Sequence, residues 1–267
     1  MTLDKETRVR KESKTQDKVK VTLSRAAIIV LFFLAWEAVV AMGLVRPLFL
    51  APPSAIWETL QDLAAGGNLG GHILETLRST FIGFAAGMFV GVVVGFALGL
   101  MRRVTRVVAP FITMMNSMPR IALAPLFVLW FGIGITSKVV LVFSLVVFIA
   151  LTNTLAGTQA VDADHLRLAK LLGARKSDII RKIVLPSTVP WIFAAMRLSF
   201  AFALAGAVVG EMFLGQRGLG YLIVAGSGVF NIAQIFAALI ITVFLAYLLD
   251  LSAGVLERRI LRWRPEE

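Results

Sequence analysis

Few side chains in this sequence could do covalent chemistry. There is no cysteine, and the only histidines are His72 and His165, so disulfides, thiolate nucleophiles and cysteine-held metals are excluded. The segment closest to a phosphate-cradling loop is Gly173, Ala174, Arg175, Lys176 and Ser177, which lacks that loop's length and its second glycine. Nucleotide hydrolysis by this chain is therefore not expected. The remaining chemistry is that of isolated charges in apolar runs: Glu37, Arg120, Arg197, Glu211 and Asp250. A charge in hydrocarbon is costly unless it faces protein or a polar path, which makes each one a candidate for ion attraction, ion pairing or gating.

The elements that must hold these charges are membrane helices. Of 267 residues, 58% are hydrophobic and 16% charged, and mean hydropathy is +0.84, outside the soluble range. A net charge of +11 could suit nucleic acid, but such a binder carries its basic residues on a polar, soluble fold. Here they lie between long apolar runs, so the expected partner is the lipid bilayer and not nucleic acid. A helix crosses the hydrocarbon with about 20 mostly apolar residues. Residues 26–45, 81–101 and 139–157 satisfy this cleanly, and 107–134, 189–214 and 232–256 satisfy it with interruptions. The expectation is an all-α polytopic protein of six spans.

Lys and Arg set the orientation, because positive loops stay in the cytoplasm. They collect before residue 26, at Arg102, Arg103 and Arg106, through Arg167, Lys170, Arg175, Lys176, Arg181 and Lys182, and at Arg258, Arg259, Arg262 and Arg264. The alternate loops hold only Arg46 and Arg78, Lys138, and Arg217. Both termini are thus expected in the cytosol. Residues 1–25, basic but interleaved with Asp4, Glu6, Glu12 and Asp17, are too long and too mixed in sign for a signal peptide and read as a solvated tail, with lipid-headgroup contact as the alternative. This topology puts His72 in an outer loop and His165 in an inner one, so they cannot share a metal or a catalytic triad.

Gly83, Gly87, Gly91, Gly95 and Gly99 recur at every fourth position of the second span, over roughly 24 Å of helix. Lipid gives helices no hydrophobic reason to associate, so such a face is expected to pack closely on another helix. The spacing leaves open whether that helix is in the same chain or a second copy. The fifth span, rich in alanine and glycine, is expected at the centre of the bundle. The bulky first span is expected at the lipid-facing edge, with Glu37 turned towards protein.

The inner segment 162–186 reads as two short helices. Asp162 can cap the first, Gly173 can end it in the left-handed conformation, and Ser177 can cap a second running to Leu185 and Pro186. Leu166, Leu168, Leu171 and Leu172 make it too apolar to face bare water. It needs a partner.

This segment resembles the EAA loop of ABC-transporter permeases: Ala169 matches the second alanine, Gly173 the glycine, and Ile183, Leu185 and Pro186 the closing Ile-x-Leu-Pro. Arg167 stands where the glutamate is usual and Leu168 where the first alanine is usual, which puts the usual electrostatic contact to the ATPase in doubt. Pro119, Arg120, Ile121, Ala122, Leu123, Ala124 and Pro125, then Trp130, Phe131 and Gly132, and later Glu211 with Gly218, Leu219, Gly220 and Tyr221, are similar to the nitrate, sulfonate, taurine and bicarbonate permease group. The likeness runs from about residue 48 to 265.

The resemblance implies a type I importer permease in the bacterial inner membrane. It implies a homodimer with two ATPase subunits beneath and a periplasmic or lipid-anchored binding protein above. ATP and Mg would be bound by the ATPase and no cofactor by this chain. The expected divisions are a tail at 1–25, the first span and connector at 26–69, a permease core at 70–256 and a C-terminal tail at 257–267. Leu166, Arg167, Ala169, Lys170, Leu172, Gly173 and Pro186 would couple to the ATPase. Asn116, Arg120, Arg197, Ser199 and Glu211 are candidates for the translocation path. For Arg120 the alternative is capping of the carbonyls freed by Pro119 and Pro125. Arg197 can pair with Asp250, and Glu211 can position the segment around Gly218 or gate the outer mouth. The implied cargo is a small anion or organic anion such as a sulfonate, nitrate, taurine or bicarbonate. The alternatives are an aromatic carboxylate, a pyrimidine vitamin precursor, or a channel or scaffold without ATP coupling.

Overall fold

The computed structural model describes residues 27–46 and 48–260, with Val21, Ser24 and Arg25 before them. The charged segment 1–20 and the closing residues 261–267, with Arg262 and Arg264, lie outside the described residues. Among the described residues every regular element is helical. They are α1 (Ala27–Ala41), α2 (Pro53–Ala65), α3 (Leu69–Leu100), α4 (Arg102–Ser117), α5 (Ala124–Phe131), α6 (Ile135–Gln159), α7 (Ala163–Leu171), α8 (Lys176–Ile179), α9 (Leu185–Leu214), α10 (Leu219–Gly228) and α11 (Ile232–Ile260).

Six spans were expected, and four straight ones are long and apolar enough: α3, α6, the run Lys176–Phe213 and α11. The third expected span is a broken pair, α4 and α5, bent by 75°. Its break follows from proline chemistry. Met118, ahead of Pro119, is extended at φ −70° and ψ 131°, as a pre-proline residue prefers, and a tight turn over Arg120–Leu123 leads into α5. Within the described residues the first apolar run forms α1, a shorter apolar helix.

Helix α3 begins well before the expected residue 81, so His72, Glu75 and Arg78 lie on it rather than in a loop. The hydroxyl residues there stay helical because they donate inward, Ser79 to the Thr76 carbonyl at 3.1 Å and Thr80 to the same carbonyl at 2.7 Å. Such back-bonding lets a polar stripe remain inside a helix.

The glycine row of α3 packs on α6 of the same chain. A Cβ at Gly91 or Gly95 would stand 2.5 Å from the carbonyl oxygen of Val147 or Leu151, and at Gly83 2.5 Å from the Val142 Cβ. Only hydrogen in place of a side chain allows that approach. Helix α6 is also held by α9, with Ala203 and Ala207 against Val142 and Val146 and Gly157 against Trp191. Helices α10 and α11 close the bundle through Leu204, Leu219, Leu222, Ala238 and Leu245. At the edge, α1 exposes Leu31, Phe32 and Leu34 and sets Trp36 against Phe236 at 5.5 Å. Glu37 accepts from the Ser54 backbone N–H at 3.1 Å and its hydroxyl at 2.8 Å, placing a carboxylate at the positive N-terminal end of α2.

Candidate functional site

Two polar regions lie at opposite ends of the bundle. At the basic end, Asp162 caps α7, its side chain accepting from the Asp164 N–H at 2.8 Å. Gly173 ends the helix at φ +78°, its N–H donating to the Lys170 carbonyl and that of Ala174 to the Ala169 carbonyl, each at 3.0 Å. This is the paired closure that a left-handed glycine permits.

The second short helix differs from expectation. Arg175, not Ser177, occupies the cap position of α8, and no side chain caps it. Nor does α8 stand alone: it continues through a widened π turn, Ile180–Val184, directly into α9. Pro186 has no N–H to return to the Lys182 carbonyl, and the widened turn comes immediately before it.

The two faces of α7 have different surroundings. Leu168, Ala169 and Leu172 share a cavity of about 440 Å³ with His165, Lys182, Ile183 and Pro186. Leu166, Arg167 and Lys170 face a larger space beside the start of α4. Leu168, Leu171 and Leu172 are 55%, 85% and 78% exposed. Arg167 donates to Asp164 at 3.1 Å, both in water.

At the other end, three consecutive N–H groups entering α10 find side-chain acceptors. Gly218 N–H donates to His72 Nδ1, Leu219 N–H to Thr76 Oγ1 and Gly220 N–H to Glu211 Oε2, each at 3.0 Å. Thr76 Oγ1 in turn donates to Glu211 Oε2 at 2.9 Å. Gly218 has φ +120°, and a Cβ there would collide with the Glu211 carboxyl group. Glu211 is 1% exposed and satisfies one oxygen fully, while Oε1 has no partner among the described residues. Lys138, also buried, pairs with Glu75 at 2.9 Å. His72 stacks on Tyr221 with centroids 5.9 Å apart.

The remaining candidates fall between these ends. Arg120 donates to the Met115 carbonyl at 2.8 Å and to Asn116 Oδ1 at 3.2 Å, and its guanidinium lies 4.3 Å over the Phe148 ring. It thus occupies a carbonyl freed at the break in the third span. Arg197 pairs with Asp250 at 3.2 Å and Glu257 at 3.5 Å. Ser199 is fully buried, and its hydroxyl has no partner in the described set. Asn116 and Arg120 therefore meet each other, whereas Arg197, Ser199 and Glu211 occupy separate levels of α9. Sequence reasoning missed Glu75, Thr76 and Lys138. The spacing of Thr76, Ser79 and Thr80 along one helical face was a usable signal.

An apolar helical bundle with one broken span and a leucine-bearing loop at its basic end defines a multi-span membrane protein. Residues 83–262 match the family described as "Binding-protein-dependent transport system inner membrane component", and the chain belongs to it. The taurine transport system permease protein TauC of Escherichia coli is 30% identical over 92% of this chain and 91% of its own length. The riboflavin transport system permease protein RibX of Chloroflexus aurantiacus is 32% identical over 88% of each chain. The formylaminopyrimidine transport permease protein ThiX of Halalkalibacterium halodurans is 32% identical over 89% of this chain and 96% of its own. Among solved structures, an inward-facing MetNI methionine ABC transporter shares the fold with TM-score 0.60 at 20% identity, over 72% of this chain and 95% of that one. An amino acid ABC transporter does so with TM-score 0.59 at 19% identity, over 77% and 98%. The chain is an importer permease of the bacterial inner membrane with a type I fold, and ATP hydrolysis belongs to a separate subunit.

Proposed function

We propose that this permease works as a homodimer, that its 162–186 segment is the EAA loop docking on the ATPase, and that its cargo is a small organic anion of the sulfonate type. The carrying observation is the loop itself: Leu168, Leu171 and Leu172 stand in water at the end of a fully capped helix. Exposed apolar side chains on so ordered an element call for a protein partner. Leu166, Ala169, Leu172 and Gly173 contribute the docking surface, with Arg167 and Lys170 turned to acidic groups on the ATPase. Because α8 runs unbroken into α9, movement of the loop is delivered to the fifth span through the π turn and Pro186. Asn116, Arg120, Arg197, Ser199 and Glu211 are the path candidates.

The anion reading rests on the likeness to TauC. The likeness to ThiX favours a pyrimidine cargo as the second reading, and thermal-shift screening of the partner binding protein against both classes separates them. The docking reading is tested at Gly173. A Cβ there meets nothing within 4 Å, so only its left-handed backbone matters. Gly173→Val should abolish uptake and coupled ATPase activity with normal membrane insertion, whereas Gly173→Asn, which tolerates that conformation, should retain most of both. Normal uptake by Gly173→Val overturns the reading.

A further inference from the structure

A large cavity lies where α3 ends and α4 begins, between that corner and one side of α7. Its volume is about 900 Å³. Arg102 and Arg103 stand on one wall and Lys176 on another, with Arg167 and Lys170 on the side towards the proposed ATPase surface. Among the described residues no acidic one lines it. Of the nearby acids, Asp164 pairs with the lining Arg167 and Asp178 with Lys182 at 3.4 Å, which leaves Arg102, Arg103, Lys170 and Lys176 with no carboxylate partner among the described residues. Like charges gathered around one space repel, and an anion in the middle removes that cost.

The walls carry a second message. Between the cations the lining is apolar, from Leu100 and Val104 on one side to Ile179, Ile180 and Val184 on the other. A free inorganic anion gains nothing from such walls, whereas a phosphate attached to acyl chains does. The depth agrees: the cavity begins at the last residues of the membrane helix α3, on the cytosolic side where anionic headgroups lie. Basic pockets between helices at this level take anionic lipid headgroups.

We propose that this cavity binds the phosphate headgroup of an anionic phospholipid of the cytosolic leaflet, tying the α3–α4 corner to the coupling loop. The proposal rests on the loop being the cytosolic coupling element only for its consequence, not for the binding.

The test uses the intact permease–ATPase complex, purified and exchanged into nanodiscs of phosphatidylcholine alone or with phosphatidylglycerol. Native mass spectrometry should find phosphatidylglycerol retained on the permease after phosphatidylcholine exchange. Arg103→Gln with Lys176→Gln should weaken its retention roughly 30-fold, as expected for two lost charges near a lipid surface, while Arg103→Lys with Lys176→Arg keeps it. ATPase subunits should remain bound in both variants, as read by gel stoichiometry. Equal retention in the Gln variant overturns the site. Displacement by millimolar inorganic phosphate with no lipid retained assigns a soluble anion and overturns the lipid assignment. Loss of the ATPase subunits together with the lipid shows that the cations face the ATPase, and also overturns it. Intact lipid retention with failure of the Gly173→Val prediction would leave this site standing and the docking reading refuted.

Discussion

The outer cradle and the inner loop are both polar ends of long helices, yet one is finished and the other is not. At the outer end every N–H entering α10 from Gly218 to Gly220 has an acceptor supplied by α3 or α9. Two of the three acceptors, Thr76 and Glu211, are buried, and Gly218 leaves room for the carboxyl group. At the inner end the backbone of α7 is capped at both ends, but Leu168 and Leu171 are in water, as is Leu172 just after the helix. The contrast separates two kinds of requirement. Polar backbone must be satisfied before the chain can sit in a membrane, whereas apolar side chains at an aqueous surface can wait for a second subunit.

That contrast can be broken by substitution at either end. The largest effect is expected for Gly218→Val, which adds strain at φ +120° and displaces the Glu211 carboxyl group. A loss of roughly 4 kcal/mol, at the exceptional end for single changes, should appear as a lowered melting temperature in detergent. Glu211→Ala removes the acceptor of Gly220 N–H and of the Thr76 hydroxyl. Leaving buried donors unmade costs about 2–3 kcal/mol, measured in the same way, with protease sensitivity appearing first around α10. Asp250→Asn sharpens the comparison from the other side. Arg197 and Asp250 are 47% and 55% exposed and Glu257 remains as a second partner, so the change should cost less than about 1 kcal/mol.

Sequence patterns exposed these regions unequally. Most of the long apolar helices and the Asp162 and Gly173 boundaries of α7 were legible because hydropathy and capping chemistry act locally. The break at Pro119 was legible for the same reason. The fusion of α8 with α9 was not, since Ser177 is a good local cap and only tertiary packing of Ile179 and Val184, both buried, carries the helix past it. The outer cradle was hidden for a different cause. Its three acceptors come from residues more than a hundred positions apart or across a turn, and His72 and Lys138 looked like loop residues until α3 and α6 proved longer than their apolar cores. Glu211 announced itself as a charge in an apolar run, but not its attachment to Gly220.

The account turns on the inner loop being an unfinished surface completed by the ATPase. Leu171→Glu combined with Leu172→Glu tests this most directly, because both side chains are exposed and exposed changes usually stay within about 0.5 kcal/mol in stability. The measurement is the amount of ATPase subunit co-purified per permease, beside the melting temperature of the permease. The account predicts loss of the ATPase with unchanged melting. Full retention of the ATPase would contradict it.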